Sequence, residues 1–310
     1  MLEYSIDEPA ARDHHGKVDA RLHHDVAKFV ALTRPLLEGD PVRHTIALTV
    51  SHGLMRMPGS TGEPPVLLTV HRGECLAGAA ICTPPRGLIV SALPAGSTDA
   101  AVEALALEYP GLPGAFGPRD VAEVFARTWS ASTGVSVHEQ MAQRLYGLHR
   151  LTPPVGVRGT IRQAGVGDFE LLAQWWQDFA DEATGGLRGP GSAAQQTRQA
   201  RAAGTVALLW EVAGSPVAWA SATAPLAGMS RIAPVFTLPQ HRGHGYGSAV
   251  TAAAAGWARR AGARHVVLFT DLANRITNVI YPRIGFRPVH DAVDLGFTPA
   301  PVPQSGDRTR

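Results

Sequence analysis

Apolar residues along the chain follow two periods, one near two and one near 3.6, and the two alternate in an order that occurs twice. In the first half, "PVLLTVHRGECLAGAAICTPPRGLIVSALP" (65–94) predicts a strand, a turn at Gly73, a strand, a turn at Pro84–Pro85 and a third strand. In the second half, "TVALLWEVAGSPVAWASATAPLAGMSRIAPVFTLP" (205–239) repeats that order, with turns at Gly214 and around Gly228. A helix-like run follows each set, "STDAAVEALALEY" in the first and "SAVTAAAAGWARRAG" in the second. Each half then continues with a strand, a helix and a last strand segment. Two copies of one α/β unit are the economical reading.

The flanks fit that plan. "HHDVAKFVALTR" and "DPVRHTIALTVSHGL" carry apolar residues at helical spacing, the second opening with Asp40 as N-cap and Pro41 at the first helical position. "LHRLTPPVGVRGT" (148–160), rich in Pro and Gly, predicts a linker. Beyond it "TIRQAGVGD" predicts a strand and turn, with Asp168 capping a helix over "FELLAQWWQDFADEA". The expected organisation is an N-terminal domain over 1–150, a linker over 151–157, a second domain over 158–300 and a tail over 301–310.

Composition narrows the classes without selecting one. The 310 residues carry a net charge of +2, with 45% hydrophobic and 17% charged residues, as in a globular chain. Lys and Arg are scattered and form no basic block, which argues against a nucleic-acid partner. No apolar run reaches the roughly 18 residues that span a bilayer. The acidic start "MLEYSIDEPAARDHH" has no secretory core, so a cytoplasmic location is expected. Cys75 and Cys82 are seven positions apart in one strand, on opposite faces, so neither a disulfide nor a CxxC metal site is expected. The pairs His14–His15 and His23–His24 lack an i, i+4 partner, and no metal is expected.

The chemistry concentrates in "PQHRGHGYGSAV" (239–250), where Gly243, Gly245 and Gly247 alternate ahead of an Ala-rich helix. Free N–H groups and the positive end of the helix dipole favour an anion there, and glycines let it reach the backbone. Arg259 and Arg260 in the last turn, with Gly262 at C′, suit the other end. A P-loop would need Gly-Lys-Ser/Thr, and no Lys is present. A dinucleotide fingerprint would need Gly where Ser248 stands, and its acidic partner is missing from "RHVVLF". The first half has only "AGST" (95–98) in the corresponding place.

What remains is Gln/Arg-x-x-Gly-x-Gly/Ala, filled by Gln240, Arg242, Gly243, His244 and Gly245, followed by "LFTDLANRITNVIYPRIGF" (268–286). In the second motif Asn274, Asn278 and Tyr281 share one helical face. With Arg162, Ala164 and Asp168 at the start of the half, these residues resemble the GNAT superfamily of N-acetyltransferases over about 158–297. The resemblance implies tandem GNAT-like domains, α/β in class, each a mixed and mostly antiparallel sheet flanked by helices, the first lacking the loop.

It also implies acetyl-CoA as acyl donor. The loop Arg242–Ser248, with Tyr246 and Gly247, would hold the pyrophosphate. Asn274 and Asn278 would look onto the pantetheine, Val235, Phe236 and Thr237 would offer it backbone groups, and Tyr281 would protonate the departing thiolate. Pro282 directly after Tyr281 departs from a regular helix and could alter its aim. The base is open between Asp271 and Glu211. Trp175, Trp176 and Asp178 lie where such enzymes often build the acceptor site, and two adjacent Trp cannot both face a helix core. The expected activity is acetyl transfer to a small-molecule or protein amine by direct attack in a ternary complex. Its rival is a catalytically silent acyl-CoA-binding module. Neither the acceptor nor the oligomeric state is legible.

Overall fold

The computed structural model describes residues 18–57, 59, 63–183 and 192–299, and over them the chain runs twice through one order of elements. The first passage is β1 (Val18–His23), α1 (Val26–Gly39), α2 (Thr45–Arg56), β2 (Val66–Arg72), β3 (Cys75–Cys82), β4 (Leu88–Ala92), α3 (Thr98–Glu108), β5 (Gly114–Pro118), α4 (Arg119–Thr133) and β6 (Ser136–Leu148). The second is β7 (Thr160–Gln163), α5 (Phe169–Ala183), α6 (Ala193–Ala202), β8 (Val206–Val212), β9 (Ser215–Ala222), β10 (Met229–Thr237), α7 (Tyr246–Arg260), β11 (His265–Asp271), α8 (Thr277–Arg283) and β12 (Phe286–Thr298). Both sets of three strands and their turns stand where the hydrophobic pattern put them.

Local chemistry explains the ends. Asp25 caps α1 by accepting from the Lys28 N–H at 3.0 Å. Asp40 does not open α2 as expected. It follows the end of α1, and its carboxylate accepts from the Arg43 N–H within a turn that delays α2 to Thr45. Asp168 likewise does not cap α5. Its carboxylate is taken by the Gly165 N–H and by Arg162, so a short 3₁₀ turn, Val166–Asp168, precedes the helix. At the C-terminus of α7, Gly262 (φ +96°) donates to Arg259 and Ala263 donates to Ala258. That is the Schellman pattern, satisfying carbonyls that would otherwise be orphaned.

All twelve strands form one sheet in the order β1-β2-β3-β4-β5-β12-β6-β11-β10-β9-β8-β7. Neighbours are antiparallel except β4–β5 and β10–β11, which are parallel. The last strand of each half lies in the other half's territory: β12 pairs with β5, and β6 pairs with β11. The chain passes between repeats at 149–159, yet the sheet does not break there.

The exchange is also an exchange of core. Val293 and Leu295 of β12 join the cluster under α3 and α4, where Phe297 stacks on Trp129. Tyr146 and Leu148 of β6 join the cluster under α7. Each such side chain withdrawn from water contributes roughly 1.5–3 kcal/mol, so neither cluster is complete without the other half's strand.

Helices α1 and α2 wedge between the halves. Phe29, Leu37 and Leu48 pack with Ile89 of their own half and with Leu145, Met229 and Val267 of the central and second-half strands. The sheet curls around this region. Phe116 on β5 and Phe269 on β11 are three strands apart in the sheet, yet their rings meet edge to face at 5.8 Å. Cys75 is exposed and Cys82 buried, at opposite ends of β3, and both are free. No described helix is long and apolar enough to cross a membrane.

Candidate active site

Strands β10 and β11 run side by side through Met229, Ser230 and Arg231 only. Beyond Arg231 they part, while β10 continues along β9, pairing Val235 with Ala220, Phe236 with Trp219 and Thr237 with Ala218. The register shifts between Ile232 and Val235, where the chain bulges. The far edge of Val235–Thr237 therefore has no neighbouring strand, and its backbone groups border an open gap. An unpaired edge inside a fold is a place for an extended ligand to add polar contacts.

The glycine loop closes one end of that gap. Gly243 and Gly245 both take φ of +81°, a conformation costly to any L side chain. Gly245 is the N-cap of α7. Along Gly243, His244, Gly245, Tyr246, Gly247 and Ser248, no backbone N–H finds an acceptor among the described residues. Six consecutive free donors at the positive end of a 15-residue helix form an anion cradle. His244 stacks on Tyr246 at 5.5 Å and 12°, bracing the turn, while the Tyr246 ring enters the core under α7.

Arg242 is committed elsewhere. Its Nη2 donates to both carboxylate oxygens of Glu182 on α5, at 2.8 and 2.6 Å, and its Nε to the Thr237 carbonyl. It ties the loop to strand and helix, and the backbone donors are left as the anion-facing groups.

The second motif packs on β11 and β12, and because α8 begins only at Thr277, Asn274 lies ahead of the helix and does not share a helical face with Asn278 and Tyr281 as expected. Asn274 accepts from the Ile276 and Thr277 N–H groups, capping the entry to α8 as its type predicts. Asn278 turns inward on the chain: its amide donates to the carbonyls of Asp271, Leu272 and Asn274. It fastens the β11–α8 connection and accepts at 3.4 Å from the Tyr146 hydroxyl.

Tyr281 is 5% exposed, edge-to-face with Tyr146 at 6.4 Å and near Phe286 at 6.2 Å. Burial pushes its phenol up, so it holds its proton throughout the physiological range. Pro282 falls in the last turn and does not end the helix, which continues to Arg283 with Ile284 still bonded to Ile280. Next comes Gly285, at φ +104°, whose added Cβ would overlap the carbonyl oxygen of Arg150. The linker passes so close because His149 donates to Gly285 and Thr152 to Ile284.

The other expected residues are placed as follows. Asp271 ends β11 and accepts from the Ala273 N–H at 2.8 Å, shaping the turn towards α8. Glu211 receives Arg162 Nε at 2.6 Å, and Arg162 also grips Asp168 through both terminal nitrogens, so Glu211 belongs to an edge-strand ion network. Trp175 is buried against Phe236, and Trp176 meets Trp219 at 5.7 Å, lining a cavity of about 130 Å³ with Phe169, Leu172 and Ser221. Neither Trp is fully presented to solvent. Asp178 accepts from Gln174 one turn earlier on exposed α5. Among the described residues no group of three or more His, Cys, Asp or Glu is placed to hold a metal, and His14 and His15 lie outside them.

In the first half the corresponding strands stay close for one residue past their last pair. β4 and β5 pair at Leu88–Ala115 and Ile89–Phe116, and a Cβ on Gly117 would then come within 2.9 Å of Val90. The end of β4 is further engaged by Arg43 and His44, which bond to the Ser91 carbonyl and hydroxyl.

Tyr146 was invisible to sequence reasoning: nothing in "RLYGLHR" says that a strand of the first half is threaded beside β11.

Residues 171–286 match the model of the Acetyltransferase (GNAT) family. A search of curated proteins finds no match. Among solved structures, a Drosophila structural-genomics target is similar at TM-score 0.63 and 15% identity, over 90% of this chain and 98% of that one. A tandem GNAT protein from the clavulanic acid biosynthesis pathway gives 0.58 and 13%, over 91% and 98%. A GNAT-family acetyltransferase from Colwellia psychrerythraea gives 0.57 and 12%, over 90% and 100%. At these identities the likeness is one of fold, and it spans both halves. The splayed strands, glycine loop and Asn–Tyr helix thus lie within the stretch of this chain that matches the GNAT acetyltransferase family model.

Proposed function

We propose that this protein is an N-acetyltransferase that uses acetyl-CoA and transfers its acetyl group directly to an amine. The observation that carries the reading is the run of six N–H groups at 243–248 without an acceptor among the described residues, beside the open edge of Val235–Thr237. The loop fits a diphosphate by charge and donor count, and the strand edge fits the amide-bearing pantetheine arm. When bound, acetyl-CoA supplies an activated acyl group.

The chain's own residues do the rest. Backbone donors of β10 orient the thioester and favour charge developing on its oxygen. The amine, held at reacting distance, forms a C–N bond as the C–S bond breaks. Tyr281, kept protonated by burial, gives its proton to the departing sulfur. The amine proton leaves towards water or towards Asp271, whose carboxylate retains acceptor capacity beside its bond to Ala273. Glu211, paired with Arg162, serves the structure of the sheet edge.

Calorimetric titration with acetyl-CoA and desulfo-CoA, beside a thiol-release assay over an amine panel, tests this. Binding with amine-dependent thiol release is expected. Binding without turnover on any amine would return the reading to a silent module, and absence of CoA binding would sink both.

A further inference from the structure

A cavity of about 340 Å³ lies between α1, α2 and the tip of the β9–β10 hairpin, at the small end of the range that ligand sites occupy. Both halves supply its apolar walls: Val30, Leu37, Leu48 and Met55 from the two helices, Leu226 and Ala227 from the hairpin tip. The tip is fixed by reciprocal backbone bonds between Leu226 and Met229, both 2.8 Å. Arg56, at the end of α2, ties the helix pair to the same half by donating to the Ala202 carbonyl at the end of α6. From Ala227 to Val235 the chain runs along β10 for roughly 25 Å, at about 3.3 Å per strand residue. The cavity is therefore remote from the open strand edge.

Two polar groups in its lining lack partners. Thr33 and Thr49, on the same two helices, each return their hydroxyl to a carbonyl one turn back, at 2.9 and 3.0 Å. Ser51 also lines the cavity and is 4% exposed, yet its hydroxyl has no hydrogen-bond partner. A buried hydroxyl left so is costly, and a ligand's acceptor would relieve it. Arg34, exposed on the α1 wall, makes no hydrogen bond or ion pair with a described residue, although Glu38 stands one turn further along the same helix. Glu38 lies beside the turn that joins α1 to α2, whereas Arg34 and Arg56 line the cavity further from that turn. Burial, and then Arg56, lowers His52, so it adds no charge at neutral pH. The walls are thus apolar, the end away from the turn is cationic, and one buried hydroxyl is unused.

We propose that this cavity is a second ligand site, separate from the acyl-transfer centre, and that it takes a small carboxylic acid with an apolar body. Arg34 and the Ser51 hydroxyl donate to the carboxylate, and the body lies against the apolar walls. A carboxylate accepts from both groups. An ammonium would meet Arg34 with like charge, and a neutral amide would leave the guanidinium without a counter-ion. Met55, unbranched and exposed at the rim, adapts to bodies of different shape. The site needs both halves, because the hairpin tip of one closes a cavity walled by the helix pair of the other.

Saturation-transfer NMR and calorimetry on the full chain test this, with hexanoate, octanoate, phenylacetate and indole-3-acetate beside their matched amides and amines. Each probe is titrated with and without saturating acetyl-CoA into the natural chain, Arg34→Gln and Ser51→Ala. At least one acid is expected to bind with Kd below about 1 mM, unaltered by acetyl-CoA, and about tenfold or more tighter than its amide and amine. Arg34→Gln should remove most of that preference. Ser51→Ala should weaken the acids about tenfold and, by deleting an unpartnered hydroxyl, leave the melting temperature equal or higher. No acid binding, an amide or amine that binds equally well, or an affinity that survives both substitutions would overturn the proposal. Displacement of the acid by acetyl-CoA would overturn it too, by placing the acid in the donor site. Acetyl transfer plays no part in the readout, so a protein inactive on every amine that still bound the acids in this way would support the site.

Discussion

The glycine loop offers a graded perturbation, because its three glycines differ in what a methyl group would meet. At Gly243 an added Cβ has no neighbour within 4 Å, so Gly243→Ala carries only the strain of φ +81°, about 1–2 kcal/mol. At Gly245 the same φ is joined by Val157 Cγ2 at 3.2 Å, and the linker must give way, adding about 1 kcal/mol or more. Gly247 has an ordinary φ and faces Thr237 Oγ1 at 3.3 Å, a contact that the better helix propensity of Ala, about 0.8–1 kcal/mol, roughly offsets.

Stability should therefore fall in the order Gly245→Ala, Gly243→Ala, Gly247→Ala, with melting temperature down by about 2–4 °C per kcal/mol. Relieving the strain by rotating the loop misaligns donors aimed at the diphosphate. Each hydrogen bond to a charged group contributes about 1.5–3 kcal/mol, so acetyl-CoA Kd should rise about tenfold or more in the first two variants. The assay is calorimetry with acetyl-CoA, run beside transfer from acetyl-pantetheine, a donor without phosphates. Transfer from acetyl-pantetheine should be unchanged. Unaltered CoA affinity in Gly243→Ala and Gly245→Ala, or equal losses with both donors, would refute the loop as a diphosphate cradle.

Other outcomes follow from the same geometry. Tyr281→Phe should lower kcat about 10²- to 10⁴-fold with acetyl-CoA affinity held, and an unchanged kcat in steady-state assays would remove the phenol from the chemistry. Gly285→Ala should destabilise by about 3 kcal/mol or more, read by denaturant unfolding, because φ +104° and the Arg150 carbonyl both oppose a Cβ. A fragment of 158–300 should fail to fold on its own, judged by circular dichroism and amide dispersion, since it lacks the β6 strand that supplies Tyr146 and Leu148 to its core. Arg162, and then the Gly165 N–H, hold the Asp168 carboxyl below its ordinary value. Its stabilisation is thus present above about pH 4 and lost as pH falls through the folded value. Asp168→Asn should flatten that part of an acid-unfolding curve.

Much of this protein is legible in one dimension because its signals are local. Gly73, Pro84–Pro85, Gly214 and Gly228 punctuate the strands by backbone preference, and Gly262 ends α7 for the same reason. The anion loop is legible because free N–H groups at a helix start need only the glycines beside them. Where local preferences competed, the reading slipped by a turn. Asp40 and Asp168 are good caps by type, but one closes a turn after α1 and the other is claimed by Arg162. The two Trp of α5 could not be apportioned from a helical wheel, since Phe236 and Trp219 come from strands some 45–60 residues further on.

The sequence by itself determined the twofold repeat of elements, the strand–glycine loop–helix order in one copy only, and the presence of a short helix with Asn278 and Tyr281 after β11. These depend on residues within a turn or two of one another. Tertiary structure alone decided that the halves trade their last strands and that Tyr146 stands beside Tyr281. It also decided that β10 and β11 part beyond Arg231. Those are matters of strand order and sheet curl, set by long-range pairing and shared core, for which no stretch of the chain carries a local mark.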